Sequence, residues 1–147
     1  MSLKCILYVS QSLIRADRDD FRAAISKIMM ESERNNRADD ITGVLAYDRG
    51  RFLQYIEGPP GPMGALVDRL LGDPRHTNMT IRIDEPVETR LFPEWSMALL
   101  NITLPPLPGY SVEDLENEPV GHLLARLQRA ADEESILSVA PRSQDDE

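Results

Sequence analysis

Residues 3–10 (LKCILYVS) form a short apolar run rich in strand-favouring side chains that stops at a polar Ser-Gln-Ser cluster, which predicts a buried strand. From Asp17 the period lengthens. Phe21, Ala24, Ile25, Ile28 and Met29 recur at i, i+3, i+4, i+7 and i+8, one face of a helix expected to run out before Asn35-Asn36. The stretch ITGVLAYDRGRFLQYIEG predicts two strands, 41–47 and 51–57, joined at Asp48-Arg49-Gly50 as a hairpin with a bulged turn. After PPGP the helical period returns with Met63, Leu66, Val67, Leu70 and Leu71, and it stops near Gly72-Asp73-Pro74. Residues 78–88 read as a polar strand near a sheet edge, and 93–100 (PEWSMALL) as another buried one. The order βαββαββ predicts an α+β fold of the ferredoxin-like class, an antiparallel or mixed sheet with both helices on one face.

The pattern changes at PPLPG (105–109), a stiff connector because proline fixes φ and withholds a donor. Residues 3–104 are therefore expected to be one domain, and 105–140 a connector followed by a helical cap. Val112 and Leu115 hint at a short helix, and Val120, Leu123, Leu124 and Leu127 make one apolar stripe on a helix after Pro119. That stripe must be buried on the open face of the sheet, on a second subunit or on a partner. Residues 141–147 are expected to be a disordered acidic tail.

Charge narrows the function classes. The 147 residues carry 16 basic and 25 acidic side chains, a net charge of −9. Residues 105–147 hold 3 of the basic and 10 of the acidic groups, so the acidity belongs to the C-terminal part. This is the wrong sign for a phosphate-binding surface, and nucleic acid is not an expected partner. No apolar run approaches a membrane span, and MSLKCILYVS lacks the plan of a signal peptide, so no membrane association and a cytoplasmic location are expected. Cys5 is the only cysteine, and His76 and His122 are too sparse for a zinc site, so no metal is expected. The sequence has no GxSxG, HExxH, Walker loop or GxGxxG, and nothing marks a catalytic residue.

The informative residues are polar ones at apolar positions. Alternation puts Ile6, Tyr8 and Ser10 on one face of the first strand, and Phe52, Gln54 and Ile56 on one face of the third. A buried amide without partners costs about 1–3 kcal/mol, so Gln54 needs a tyrosine hydroxyl, backbone or a ligand. Trp95, Met97 and Leu99 are expected to share a face, with Ser96 on the other. Asn35 and Asn36 suit a helix C-cap and turn, and Arg69, Arg75 and His76 suit solvated positions or a helix end.

Together, LYVSQS with Tyr8 and Ser10, RNN with Asn35 and Asn36, ITGVLAY, FLQYIEGP with Gln54, DPRH at 73–76 and RLFPEWSM resemble the BLUF family of flavin-using blue-light sensors. The resemblance covers about residues 3–100. It implies a noncovalent flavin, FAD or FMN, between two helices on one face of the sheet. It implies Asn36 as the residue that pairs with the ring edge, Asn35 as its more variable neighbour, and Arg69 and Arg75 as cations near a ring carbonyl or the phosphate tail. Gln54 matches the family's switching glutamine and Tyr8 its electron donor. In the implied mechanism, light drives an electron and then a proton from the tyrosine, and recombination leaves the glutamine rotated or tautomerised. Trp95, Ser96 and Met97 match the strand segment that relays the change. Ser10 and Asp73 keep purely structural roles. The resemblance to the short class implies a non-enzymatic receptor that signals to a separate downstream protein, and a homo-oligomer, dimer or larger, is expected. The rival class is a small flavin-dependent oxidoreductase, which would need a nicotinamide pocket.

Overall fold

The computed structural model describes residues 2–14, 21–48, 50–100, 117–132 and 136–141. The elements are β1 (Leu3–Ser12), α1 (Phe21–Asp39), β2 (Thr42–Asp48), β3 (Arg51–Gly58), α2 (Pro60–Leu71), β4 (His76–Val87), β5 (Trp95–Leu100), α3 (Val120–Asp132) and β6 (Ile136–Pro141). One six-stranded mixed sheet has the order β4-β1-β3-β2-β5-β6, with β2 and β5 parallel and every other neighbouring pair antiparallel.

The hairpin forms where the apolar runs predicted it, with Gly50 at φ 84° taking the left-handed turn position. Gly43 has a different reason to be glycine: a Cβ there would lie 2.2 Å from the Tyr55 carbonyl oxygen. Helix α1 carries Asn35 and Asn36 inside its last turns and ends at Asp39, just before Asp40, whose φ is 57°. The expected stop before Asn35 was therefore early by more than one turn. Asp40, which tolerates the left-handed region, provides the break.

The sheet has two apolar faces. Ile25 and Met29 of α1 and Met63 and Leu66 of α2 bury Ile6, Leu45, Phe52, Ile56 and Met97 on one side. Leu123, Leu127 and Ala130 of α3 bury Leu7, Val9, Val44, Leu53, Tyr55 and Leu100 on the other. The C-terminal stripe thus docks on the open face of its own sheet, each fully buried leucine contributing roughly 1.5–3 kcal/mol. The segment that follows this helix departs from the helical cap expected for 105–140. Residues 136–141 are a strand that pairs with β5, extending the expected five strands to six. ILSVAP does not alternate strictly, and an apolar run this short cannot be told from a helix segment by periodicity alone, so it carried no clear strand signal. The PPLPG connector, the short helix suggested by Val112 and Leu115, and residues 142–147 lie outside the described residues.

Candidate functional site: a cavity between two helices

A cavity of about 490 Å³ opens between α1 and α2 above the first sheet face. Its floor is Tyr8, Leu45, Phe52 and Gln54, and its walls include Ile28, Asn35, Asn36, Leu66 and Leu70. Lys27, Glu31, Arg69, Asp73, Arg75 and His76 line the rest.

Tyr8 and Gln54 lie directly opposite each other on β1 and β3. Both are buried, and the Tyr8 hydroxyl donates a hydrogen bond to Gln54 Oε1. Burial, with a smaller contribution from the Asp73 charge, holds the Tyr8 hydroxyl protonated far above the ordinary tyrosine range. The other end of the amide, Nε2, meets the Met97 sulfur at 3.7 Å. A thioether is a weak acceptor, so one side of Gln54 is held firmly and the other loosely. Asn36 is buried, and its Nδ2 donates to the Ser96 carbonyl at 2.8 Å, tying α1 to β5. That bond uses the donor end of the amide. Asn35 is half-buried on the cavity wall.

The cations divide. Arg75 is held by Asp73 through Nε at 2.9 Å and Nη2 at 2.6 Å, and by Glu31 at 2.9 Å. Those hydrogen bonds raise the Arg75 guanidinium above its ordinary range and draw the Asp73 carboxyl below its own. Arg69 is about half exposed and 3.9 Å from Asp39, a looser pairing. Asp73, expected to keep a purely structural role, does so by holding Arg75 at the rim of the cavity.

Ser10 and His76 escaped sequence reasoning as site residues. His76 Nε2 lies 2.6 Å from the Leu70 carbonyl, which can only accept, so that nitrogen carries hydrogen. In the neutral ring Nδ1 then accepts from the buried Ser10 hydroxyl at 2.7 Å. The imidazole joins α2 to β1 and lies 6.0 Å from the Tyr8 ring. The available signal was Ser10 at an inward position of a buried strand.

One expectation fails. Met97 packs on the cavity face with Leu99, but Trp95 packs on the opposite face with the α3 core, where its ring stacks on Phe92 at 6.5 Å and 23°. The β5–β6 register shifts between Trp95 and Met97, and such an irregularity breaks the two-residue alternation that put them on one face. Ser96 is buried.

The match to known proteins agrees with this geometry. Residues 3–98, well over half of the chain, match the family model described as sensors of blue-light using FAD. The chain belongs to the BLUF family. It is 35% identical over 111 residues to the photoactivated adenylate cyclase subunit beta of Euglena gracilis, an alignment covering 72% of this chain but 12% of that protein. The dark-state structure of the BLUF protein BlrB superposes with a TM-score of 0.72 at 32% identity, covering 89% of this chain and 97% of that one. A bacterial light-regulated adenylyl cyclase gives a TM-score of 0.62 at 30% identity over 88% of this chain and 35% of its own. BLUF domains sense blue light with flavin, and this chain's ferredoxin-like sheet is the BLUF fold.

The cavity fits that cofactor. An isoalloxazine ring is a flat, largely apolar body with an N–H, carbonyls and a ring nitrogen along one edge, and the slot offers Leu45, Phe52 and Leu66 to the body and two buried amides to the edge. Among the described residues there is no cluster of side chains suited to a metal ion, and no helix is long and apolar enough to cross a membrane.

Proposed function

We propose that in this BLUF protein Tyr8 and Gln54 carry the photochemistry, Asn36 with Asn35 holds the flavin edge, and β5 passes the change to the α3 side of the sheet. The observation that carries this reading is the Tyr8–Gln54 pair, hydrogen-bonded across adjacent strands and lining the cavity between α1 and α2. Bound there, flavin supplies the blue-light absorption and the electron acceptor. FAD suits the family match, and FMN would present the same ring.

Tyr8 is neutral and desolvated, so it parts with its proton readily only once it has lost an electron. The proton then has a path along the existing bond to Gln54 Oε1. Gln54 has a donor and an acceptor of similar shape at its two ends, so turning it inverts the hydrogen-bond pattern with little change in volume. Turning gives up the Tyr8 bond to Oε1, while on the Nε2 side it costs only the weak contact to Met97. Asn36 uses one N–H of its NH₂ on Ser96, and its oxygen is placed to accept from the ring N–H. Arg69 suits the phosphate tail, whereas Arg75, already engaged by two carboxylates, shapes the rim.

Met97 and Ser96 both belong to β5, one touching Gln54 and the other Asn36, so a change at either amide reaches this strand directly. Its neighbour Trp95 contacts the core under α3. Release or shifting of α3 is the proposed output, received by a separate signalling protein. The net charge of −7 over residues 105–147 favours a partner with a basic face. The same reading takes the protein to be cytoplasmic, self-associating and without catalysis in this chain. Light-minus-dark absorption spectra of the FAD-loaded protein test it. The wild type should shift red under blue light and recover in the dark, while Tyr8→Phe and Gln54→Ala should keep flavin and lose the shift. A normal shift in both variants would refute these roles.

A further inference from the structure

Three residues beyond Gln54, on the opposite face of β3, stands a second buried polar side chain. Glu57 is fully buried, and its Oε1 accepts the Leu91 backbone N–H at 2.8 Å while Oε2 accepts that of Phe92 at 2.6 Å. The Tyr55 hydroxyl also donates to Oε1, at 3.2 Å. Burying a carboxyl group is costly unless it is hydrogen-bonded, and these three donors meet that requirement. Next to them, Arg90 donates to the Glu57 carbonyl at 3.2 Å, the Thr42 hydroxyl at 2.9 Å and the Asp40 carbonyl at 2.8 Å. Residues 90–92 are thus fastened both to β3 and to the turn between α1 and β2.

This fastened segment leads directly into β5. Phe92 stacks on Trp95, and two residues later Met97 meets Gln54. Regular alternation would send Trp95 and Met97 to the same face; the register irregularity between them lets Trp95 take the α3 side while Met97 stays against the amide, so the path of the chain into β5 has to be held in place. We propose that Glu57 is a positioning residue for the switch: by gripping the Leu91 and Phe92 amides it sets the start of β5, keeping Trp95 on the α3 side and Met97 against Gln54. The proposal rests on the reading of Gln54 as the switching residue. It adds a control point on the far side of the sheet from the cavity.

Glu57→Gln in the full-length protein loaded with FAD tests it. An amide has one acceptor end, so at least one of the two N–H groups must face an NH₂. Trp95 is the only tryptophan, so its emission reports its own surroundings. The variant should change the dark-state Trp95 emission and alter the dark-recovery rate by about 10-fold, the equivalent of one charge-assisted hydrogen bond, while keeping the red shift itself. Lowered urea resistance with unchanged emission and unchanged recovery would reduce Glu57 to a structural role and overturn the proposal. If the variant does not fold, amide exchange in the wild type decides: Leu91 and Phe92 should exchange about 10-fold or more slowly than exposed Glu88 and Thr89. Equal rates would overturn the grip. A wild type without any red shift would instead refute the reading of Gln54, while Trp95 emission and amide exchange would still test Glu57.

Discussion

Removing the Tyr8 hydroxyl should expose how tightly Tyr8 and Gln54 depend on one another. Among the described residues, Gln54 Oε1 takes its hydrogen bond from Tyr8, and Nε2 has only the 3.7 Å contact to the Met97 sulfur. Tyr8→Phe keeps the ring and leaves a buried amide oxygen without a donor, which should cost about 1–3 kcal/mol. For a protein of this length that corresponds to a melting point lower by roughly 2–10 °C. Gln54→Leu orphans the tyrosine hydroxyl instead and should cost a similar amount. The double variant leaves neither group orphaned and should be less unstable than the sum of the singles by about 1–3 kcal/mol. Urea unfolding of the four flavin-free proteins measures this without a contribution from ligand binding. Additivity within about 0.5 kcal/mol would refute the claim that the two side chains form one unit.

Asn36→Ala removes the bond from α1 to the Ser96 carbonyl, and should lower FAD occupancy on reconstitution and cost about 1 kcal/mol in urea unfolding. Asp73 is held below the usual carboxylate range chiefly by its hydrogen bond to Arg75, so its contribution to stability is present above that range and is lost as pH falls through its lowered value. Asp73→Asn should therefore flatten the acid side of the stability profile and leave the neutral-to-alkaline side nearly parallel to the wild type. Residues 120–131 should exchange amide hydrogen faster in the light than in the dark, and equal protection in both states would remove α3 as the output element.

Where one side chain per face and regular alternation suffice, the sequence was readable. Gln54 sits between Phe52 and Ile56 two residues away, Tyr8 shares its face with Ile6, and the strands pair so that the two meet. The C-terminal stripe was equally clear, although its docking face depended on which apolar surface lay open. Trp95 was misplaced because a local irregularity beside β5 overrides alternation, and no residue type announces it. Asn35 and Asn36 looked like a helix end because asparagine commonly stops helices; here tertiary partners, Ser96 above all, hold Asn36 inside one. Glu57 and His76 were hard to read for another reason. Beside the Ser10 and Tyr55 hydroxyls, their partners are main-chain groups of Leu70, Leu91 and Phe92, which carry no side-chain signature.

The proposed switch turns on one event, a light-driven change in the hydrogen bonding of the Gln54 amide. Light-minus-dark infrared difference spectra of the FAD-loaded protein, made with isotopically labelled glutamine, read that amide directly. A glutamine carbonyl band should appear with the red shift and be absent in Gln54→Leu. A full red shift with no label-sensitive glutamine band would contradict the account.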